Sequence, residues 1–160
     1  MDTNILLAAL ALMGLSFASA VIPWINAEAI AIALPAIAHS PAEIAGLVIV
    51  VTIGQMAGKC VVYAAGRRGA GIGAGRFAER LARWQARATR SPWQAIGLVG
   101  LSSAAGMPPF YVMSAVAGAV GMNLGWFLAA GTTGRLIRFG ALAFGALSLF
   151  PNPQSLTPGP

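Results

Sequence analysis

Four charged side chains stand in apolar sequence, where solvation is hardest to supply: Glu28, Lys59, Arg135 and Arg138. The three cations lie in two matching phrases, GKCVVY from Gly58 to Tyr63 and GRLIRF from Gly134 to Phe139. Each reads glycine, cation, three residues, aromatic ring. A cation at bilayer depth costs roughly 2.5–3.5 kcal/mol on insertion scales, so an intramembrane Lys or Arg is a functional-site candidate by default. The chemistry open to such residues is anion binding, and Arg suits phosphate through its planar fork of donors. Helix N-termini at hairpin turns would add backbone amides to the same task. Glu28 follows the break Pro23-Trp24-Ile25-Asn26. It reads as a proton-coupling acid or a ligand for a cationic partner; the alternative is an interfacial residue facing water. For the cations, the alternative is that they satisfy hairpin carbonyls or pair with Glu28 as structural locks.

These residues must be positioned by elements suited to lipid. The 160 residues are 58% hydrophobic and only 9% charged, with a mean hydropathy of +0.76. Soluble domains carry roughly 25% charged residues. No charge occurs between Asp2 and Glu28, between Arg90 and Arg135, or after Arg138, and about 20 apolar residues suffice to cross a bilayer as a helix. The expected fold class is therefore an all-α integral membrane protein, with one membrane domain over residues 1–150. Arg67, Arg68, Arg76, Arg80, Arg83, Arg87 and Arg90 supply most of the net charge of +6. The positive-inside rule explains that block as a cytoplasmic loop better than nucleic-acid binding does, so no nucleic-acid partner is expected.

Residues 5–22 read as a first spanning helix. ILLAALALMGLSFASA looks like a signal-peptide core, but MDTN before it holds Asp2 and no cation, so a retained helix is expected. Residues 23–41 are interrupted at Pro35 and bounded by Pro23 and Pro41, which predicts a re-entrant hairpin with its break at Pro35. Residues 42–66 give a second spanning helix, closing a first half over 5–68. The linker 69–92 opens on GAGIGAG, which lacks the Gly-Lys-Ser/Thr ending of a phosphate loop. It continues as a helix whose arginines at 76, 80, 83, 87 and 90 share one face, an amphipathic helix suited to anionic headgroups or simply to fixing topology. In the second half, 93–149, apolar arms 93–104 and 112–122 flank GMPPFY. Pro108 and Pro109 there exclude one continuous helix. Residues 124–149 form the last span, and 151–160 an uncharged, Pro-rich, disordered tail.

With the Arg block inside, helix 42–66 runs inward, the first hairpin enters from outside and the second from inside. Each half is then hairpin plus spanning helix in opposite orientation, an inverted repeat of the kind found in transporters. Turn residues are Pro23, Asn26, Pro35, Pro108, Pro109 and Tyr111. Gly58, Gly118 and Gly134, with Gly54, Gly121 and Gly131, are expected to let helices approach closely. Glu43 after Pro41 suits a helix first turn. His39 is read as interfacial, Cys60 as packing, and Trp24, Trp84, Trp93 and Trp126 as interfacial anchors. No Ser-His-Asp set, paired intramembrane acid or metal-ligand cluster is present in the sequence, so neither an enzyme, a metal nor another cofactor is expected.

The stretch from Gly106 to Phe139 resembles the second-half signature of small bacterial DedA-superfamily proteins (VTT domain, SNARE-associated), especially the YqaA-like branch. The resemblance rests on P-P-F-Y, S-x-x-A-G, G-M, a following Phe and G-x-x-G-R-x-x-R-F. In the first half, PWINAE and GQMAGKCVVYAAGRRG are similar to that group's Pro-x-x-x-x-Glu stretch and Gly-rich helix. The match covers roughly residues 20–145. It implies two facing re-entrant hairpins, a multi-pass place in the bacterial inner membrane, and movement of lipids across it. In some bacterial members the role is polyprenyl-phosphate carrier recycling; in eukaryotic relatives it is phospholipid scrambling. Glu28 matches the hairpin acid, and Arg135 and Arg138 match basic residues after the second hairpin. The turn GMPPFY departs from better-known members, whose second hairpin carries arginines. Three readings stay open: transport of an anionic lipid with Glu28 as coupling acid and Lys59, Arg135 and Arg138 as anion-binding or gating cations; a non-transporting scaffold; and a proton-coupled ion or small-solute carrier. One chain is small for a sealed pathway, which leaves a homodimer open.

Overall fold

The computed structural model describes residues 3–22, 26–38, 40–69, 83 and 91–149. The described residues form six principal helices and no strand: α1 (Thr3–Val21), α2 (Ala27–Ile37), α3 (Pro41–Arg67), α4 (Pro92–Ala105), α5 (Phe110–Ala119) and α6 (Leu124–Leu149). The turn residue Pro23, the anchors Trp24 and Trp84, His39, the tail and all of the Arg-rich helix except Arg83 lie outside the described residues.

The helix boundaries follow from local chemistry. The side-chain oxygen of Asn26 accepts the Glu28 amide at 2.9 Å and caps α2. The hydroxyl of Ser40 does the same for the Glu43 amide at 3.2 Å, with Pro41 in the first turn. Side-chain caps of this kind satisfy amides that have no intrahelical acceptor. Asn123 caps α6 through the Gly125 amide at 2.8 Å. α4 stops at Gly106, whose φ of +78° is left-handed, and glycine adopts that conformation without a Cβ clash. Pro108 and Pro109 then fill the gap before α5.

Pro35 is a correction. The expected hairpin break there does not occur, because residues 27–37 form one uninterrupted helix with Pro35 buried inside it. Pro35 stands in the last turn, where a missing amide removes a single helical bond. The helix closes just beyond, where the Ala38 amide reaches the Leu34 oxygen at 3.1 Å. The break in the helical path lies between Val21 and Ala27 instead. Tyr111 likewise sits in the first turn of α5 rather than in the turn itself.

Each long helix carries one arm of its own half and one of the other. α1 packs on α3 and α4 on α6, while α2 packs chiefly on α6 and α5 on α3. Glycine makes these contacts close. A Cβ on Gly58 would stand 2.5 Å from the Ala20 Cβ, and one on Gly134 would stand 2.6 Å from the Gly100 oxygen. A Cβ on Gly118 would overlap the Tyr63 carbonyl. One apolar core joins Ile30, Leu34, Ile44, Val51 and Phe139; a second joins Met56, Tyr63, Val99, Phe110 and Phe127. The periphery is also apolar, with Leu7, Ile53, Val61, Leu101 and Ile137 all about half exposed or more.

Among the described residues, α3 is the one helix that is long and apolar enough to cross a membrane. Its 27 residues extend about 40 Å. α6 has 26 residues but carries Arg135 and Arg138 in its middle. α2, α4 and α5, at 11, 14 and 10 residues, reach only roughly 15–21 Å.

Candidate anion-binding cleft

The end of α1, the start of α2, the middle of α3, the 106–109 turn with the start of α5, and the middle of α6 meet around a cleft of about 520 Å³. Its polar lining includes Asn26, Glu28, Gln55, Lys59, Tyr111 and Arg135. Residues from both halves of the sequence, as far apart as Ser19 and Arg135, therefore face one space.

The cations differ in how they are satisfied. The Lys59 ammonium donates to the Ala20 carbonyl at 2.7 Å and stands 5.0 Å from the centre of the Tyr111 ring. Ala20 is in the last turn of α1, where carbonyls lack an intrahelical donor and the helix dipole is negative. Arg138 does the same for the other half. Its Nη1 donates to the Ala104 carbonyl, in the last turn of α4, at 3.0 Å. Its Nη2 donates to Glu28 Oε1 at 2.5 Å, forming an ion pair. Gly106 makes room for this guanidinium, since a Cβ there would stand 2.9 Å from both terminal nitrogens. Lys59 and Arg138 thus each hold the C-terminal end of a helix, α1 and α4 respectively.

Arg135 has no hydrogen-bond or ion-pair partner among the described residues. It is 92% buried, from a relative exposure of 8%, and its Nε is enclosed without an acceptor. Two rings embrace it: the guanidinium carbon lies 4.9 Å from the centre of Phe110 and 5.3 Å from that of Phe139. Cation–π contacts of this kind contribute about 1–2 kcal/mol when desolvated, less than the cost of removing a guanidinium from water without an anion. Arg138 Nε is also enclosed without an acceptor, but of the three cations here Arg135 is the one with no hydrogen bond at all among the described residues.

No family model, characterised protein or solved structure matches the chain.

Several contributors to the cleft were not singled out from the sequence. Gln55 is 1% exposed and donates through Nε2 to the Ser19 hydroxyl at 2.5 Å. It stands one helical turn before Lys59, on the same face, and an amide in an otherwise apolar run was the available signal. Phe139 is marked in the sequence as the aromatic member of GRLIRF, but its closure with Phe110 over Arg135 gave no such signal, because aromatics in apolar sequence read as core. Among the described residues, no group of His, Cys, Asp and Glu could hold a metal. What the arrangement can do chemically is bind an anion at Arg135, with Lys59 adding positive potential across the same space.

Proposed function

We propose that the chain is a multi-pass membrane transport protein of the DedA-like kind that moves an anionic lipid across the inner membrane. The observation that carries this reading is Arg135: a buried, ring-sandwiched guanidinium with no hydrogen-bond or ion-pair partner among the described residues, lining a cleft shared by both halves. A lipid phosphate is the anion most available at that depth, and a guanidinium binds it through two parallel donors.

The outer surface supports membrane residence, since large aliphatic side chains cover faces that water would otherwise solvate. Trp93 and Trp126 are exposed and meet edge to face at 5.4 Å. They belong to the same end of the molecule as Arg67, which donates to the Tyr63 hydroxyl, itself bonded to the Met122 carbonyl. Aromatic side chains beside cations suit a cytoplasmic interface. α4 and α5 are each too short to cross about 30 Å of hydrocarbon, which supports re-entrant entry of that hairpin. The reciprocal packing of α2 on α6 and α5 on α3 supports an inverted repeat.

Reconstitution into liposomes tests the proposal. Fluorescent polyprenyl phosphate or phospholipid should exchange between leaflets with wild-type protein, and Arg135→Ala should slow exchange at least tenfold. Leaflet exchange that is indifferent to both Arg135→Ala and Glu28→Gln would remove the site assignment. No exchange by the wild type would leave the scaffold and the ion or small-solute carrier readings.

A further inference from the structure

The polar groups around the cleft can be matched donor to acceptor. The Asn26 side-chain oxygen accepts from the Glu28 amide, Glu28 accepts from Arg138, and Lys59 donates a hydrogen bond to the Ala20 carbonyl. The single hydroxyl proton of Ser19 goes to the Ser16 carbonyl at 2.8 Å. With that donation in place, Ser19 is an acceptor toward α3, and Gln55 presents its amide nitrogen to it. Gln55 Oε1 is then left buried with no donor. An acceptor in that state costs the desolvation of a polar group until a ligand supplies a donor. Among the described residues, Ser16 Oγ and Arg138 Nε are also enclosed without partners, but neither residue lines the cleft; its lining holds unspent donors on Arg135 and an unspent acceptor on Gln55.

We infer that the ligand carries, beside its phosphate, a group that donates a hydrogen bond, and that Gln55 selects for it. This rests on the lipid-binding reading above and adds a requirement that positive charge alone does not impose. The chemical class is a lipid phosphodiester whose headgroup ends in a hydroxyl or a protonated amine. Headgroups of equal charge without a donor, such as a methyl ester or a quaternary ammonium, leave Gln55 Oε1 unsatisfied. Sites built around a hydrogen bond discriminate more sharply against the missing group than apolar pockets do against a missing methylene.

The test is binding to the full-length protein in detergent, read by native mass spectrometry, with lipids paired at constant charge. One pair is phosphatidylglycerol and phosphatidylmethanol; the other is phosphatidylethanolamine and phosphatidylcholine. Wild-type protein should retain the donor-bearing member of each pair roughly tenfold more than its partner. Gln55→Leu should bring the donor-bearing lipids down to the level of their partners. Gln55→Glu, which keeps an acceptor, should retain a preference in the ethanolamine–choline pair. Equal retention within both pairs by the wild type overturns the inference, as does a preference that survives Gln55→Leu. Because binding is read apart from leaflet exchange, a failure of transport and a failure of this selectivity give different results.

Discussion

The phrases GKCVVY and GRLIRF look alike in sequence, and in three dimensions their members do matching work up to a point. In each, glycine admits the first arm of its own half: Gly58 lies against Ala20 and Phe17, Gly134 against Gly100 and Ser103. In each, a cation holds the carbonyl end of that arm, Lys59 on Ala20 and Arg138 on Ala104. In each, the terminal aromatic is buried, Tyr63 at 3% and Phe139 at 0% exposure. The phrases part at Arg135. It follows its glycine as Lys59 does, yet its partnering role has passed to Arg138, one helical turn on, and it keeps its donors unspent. The second half thus carries one cation more than its architecture uses, and that surplus distinguishes a site from a lock.

The glycines should show the largest effect and test the equivalence directly. Gly134→Leu forces a side chain into the Gly100 backbone, and Gly58→Leu forces one into Ala20 and the Phe17 carbonyl. Each should lower stability by about 3 kcal/mol, measured by denaturant unfolding in detergent. If one substitution is silent while the other unfolds the protein, the two helix contacts are not equivalent and the parallel breaks at its first member.

Next come the locks. Arg138→Met strips both the Ala104 carbonyl and Glu28 of their donor and should cost about 2 kcal/mol. The cost stays low because the Glu28 side chain is 42% exposed and water can take over its solvation. Lys59→Met loses one carbonyl contact and recovers the desolvation of a buried ammonium, so about 1 kcal/mol is expected. Glu28→Gln keeps an acceptor for Arg138 and should fall below both. A Lys59→Met loss larger than that of Arg138→Met would show that the first-half lock bears more of the fold than its single hydrogen bond implies.

How much of this was legible in the sequence depended on the reach of each signal. Paired prolines at 108 and 109 act on their own backbone, so the α4–α5 break could be read directly. The glycine and cation phrases were visible because a cation is costly in apolar sequence and because the same spacing recurs in both halves. Pro35 misled because its effect depends on how far it stands from a helix end, and that distance is set by capping at Asn26 and by packing on α6, not by the proline. Gln55 and the Phe110–Phe139 pair were hidden because their significance is relational: a proton already spent by Ser19, and two rings on different helices closing over one guanidinium.

The aromatic members differ by one atom, and removing it makes the phrases more alike. The Tyr63 hydroxyl donates to the Met122 carbonyl and accepts from Arg67 at 3.0 Å, whereas Phe139 makes only apolar and cation–π contacts. Tyr63→Phe should cost about 1 kcal/mol and loosen the tie between the end of α3 and the loop before α6, seen as faster amide exchange at Met122 and Asn123. Unchanged exchange there would mean that packing of Tyr63 on Phe127, at 5.0 Å between ring centres, holds that end by itself.

The smallest stability change belongs to Arg135, and it separates the two classes of cation most sharply. Arg135→Met leaves no carbonyl or carboxylate without a donor, because Arg135 has no such partner among the described residues. It also relieves the burial of an unpaired charge, and methionine can refill the space between Phe110 and Phe139. Unfolding free energy should stay within about 0.5 kcal/mol of wild type or rise, while lipid exchange falls at least tenfold. Arg138→Met shifts the balance the other way, with a loss of stability that any loss of exchange follows. A clear destabilisation by Arg135→Met would place Arg135 with the locks and leave the cleft without a cation reserved for an anion.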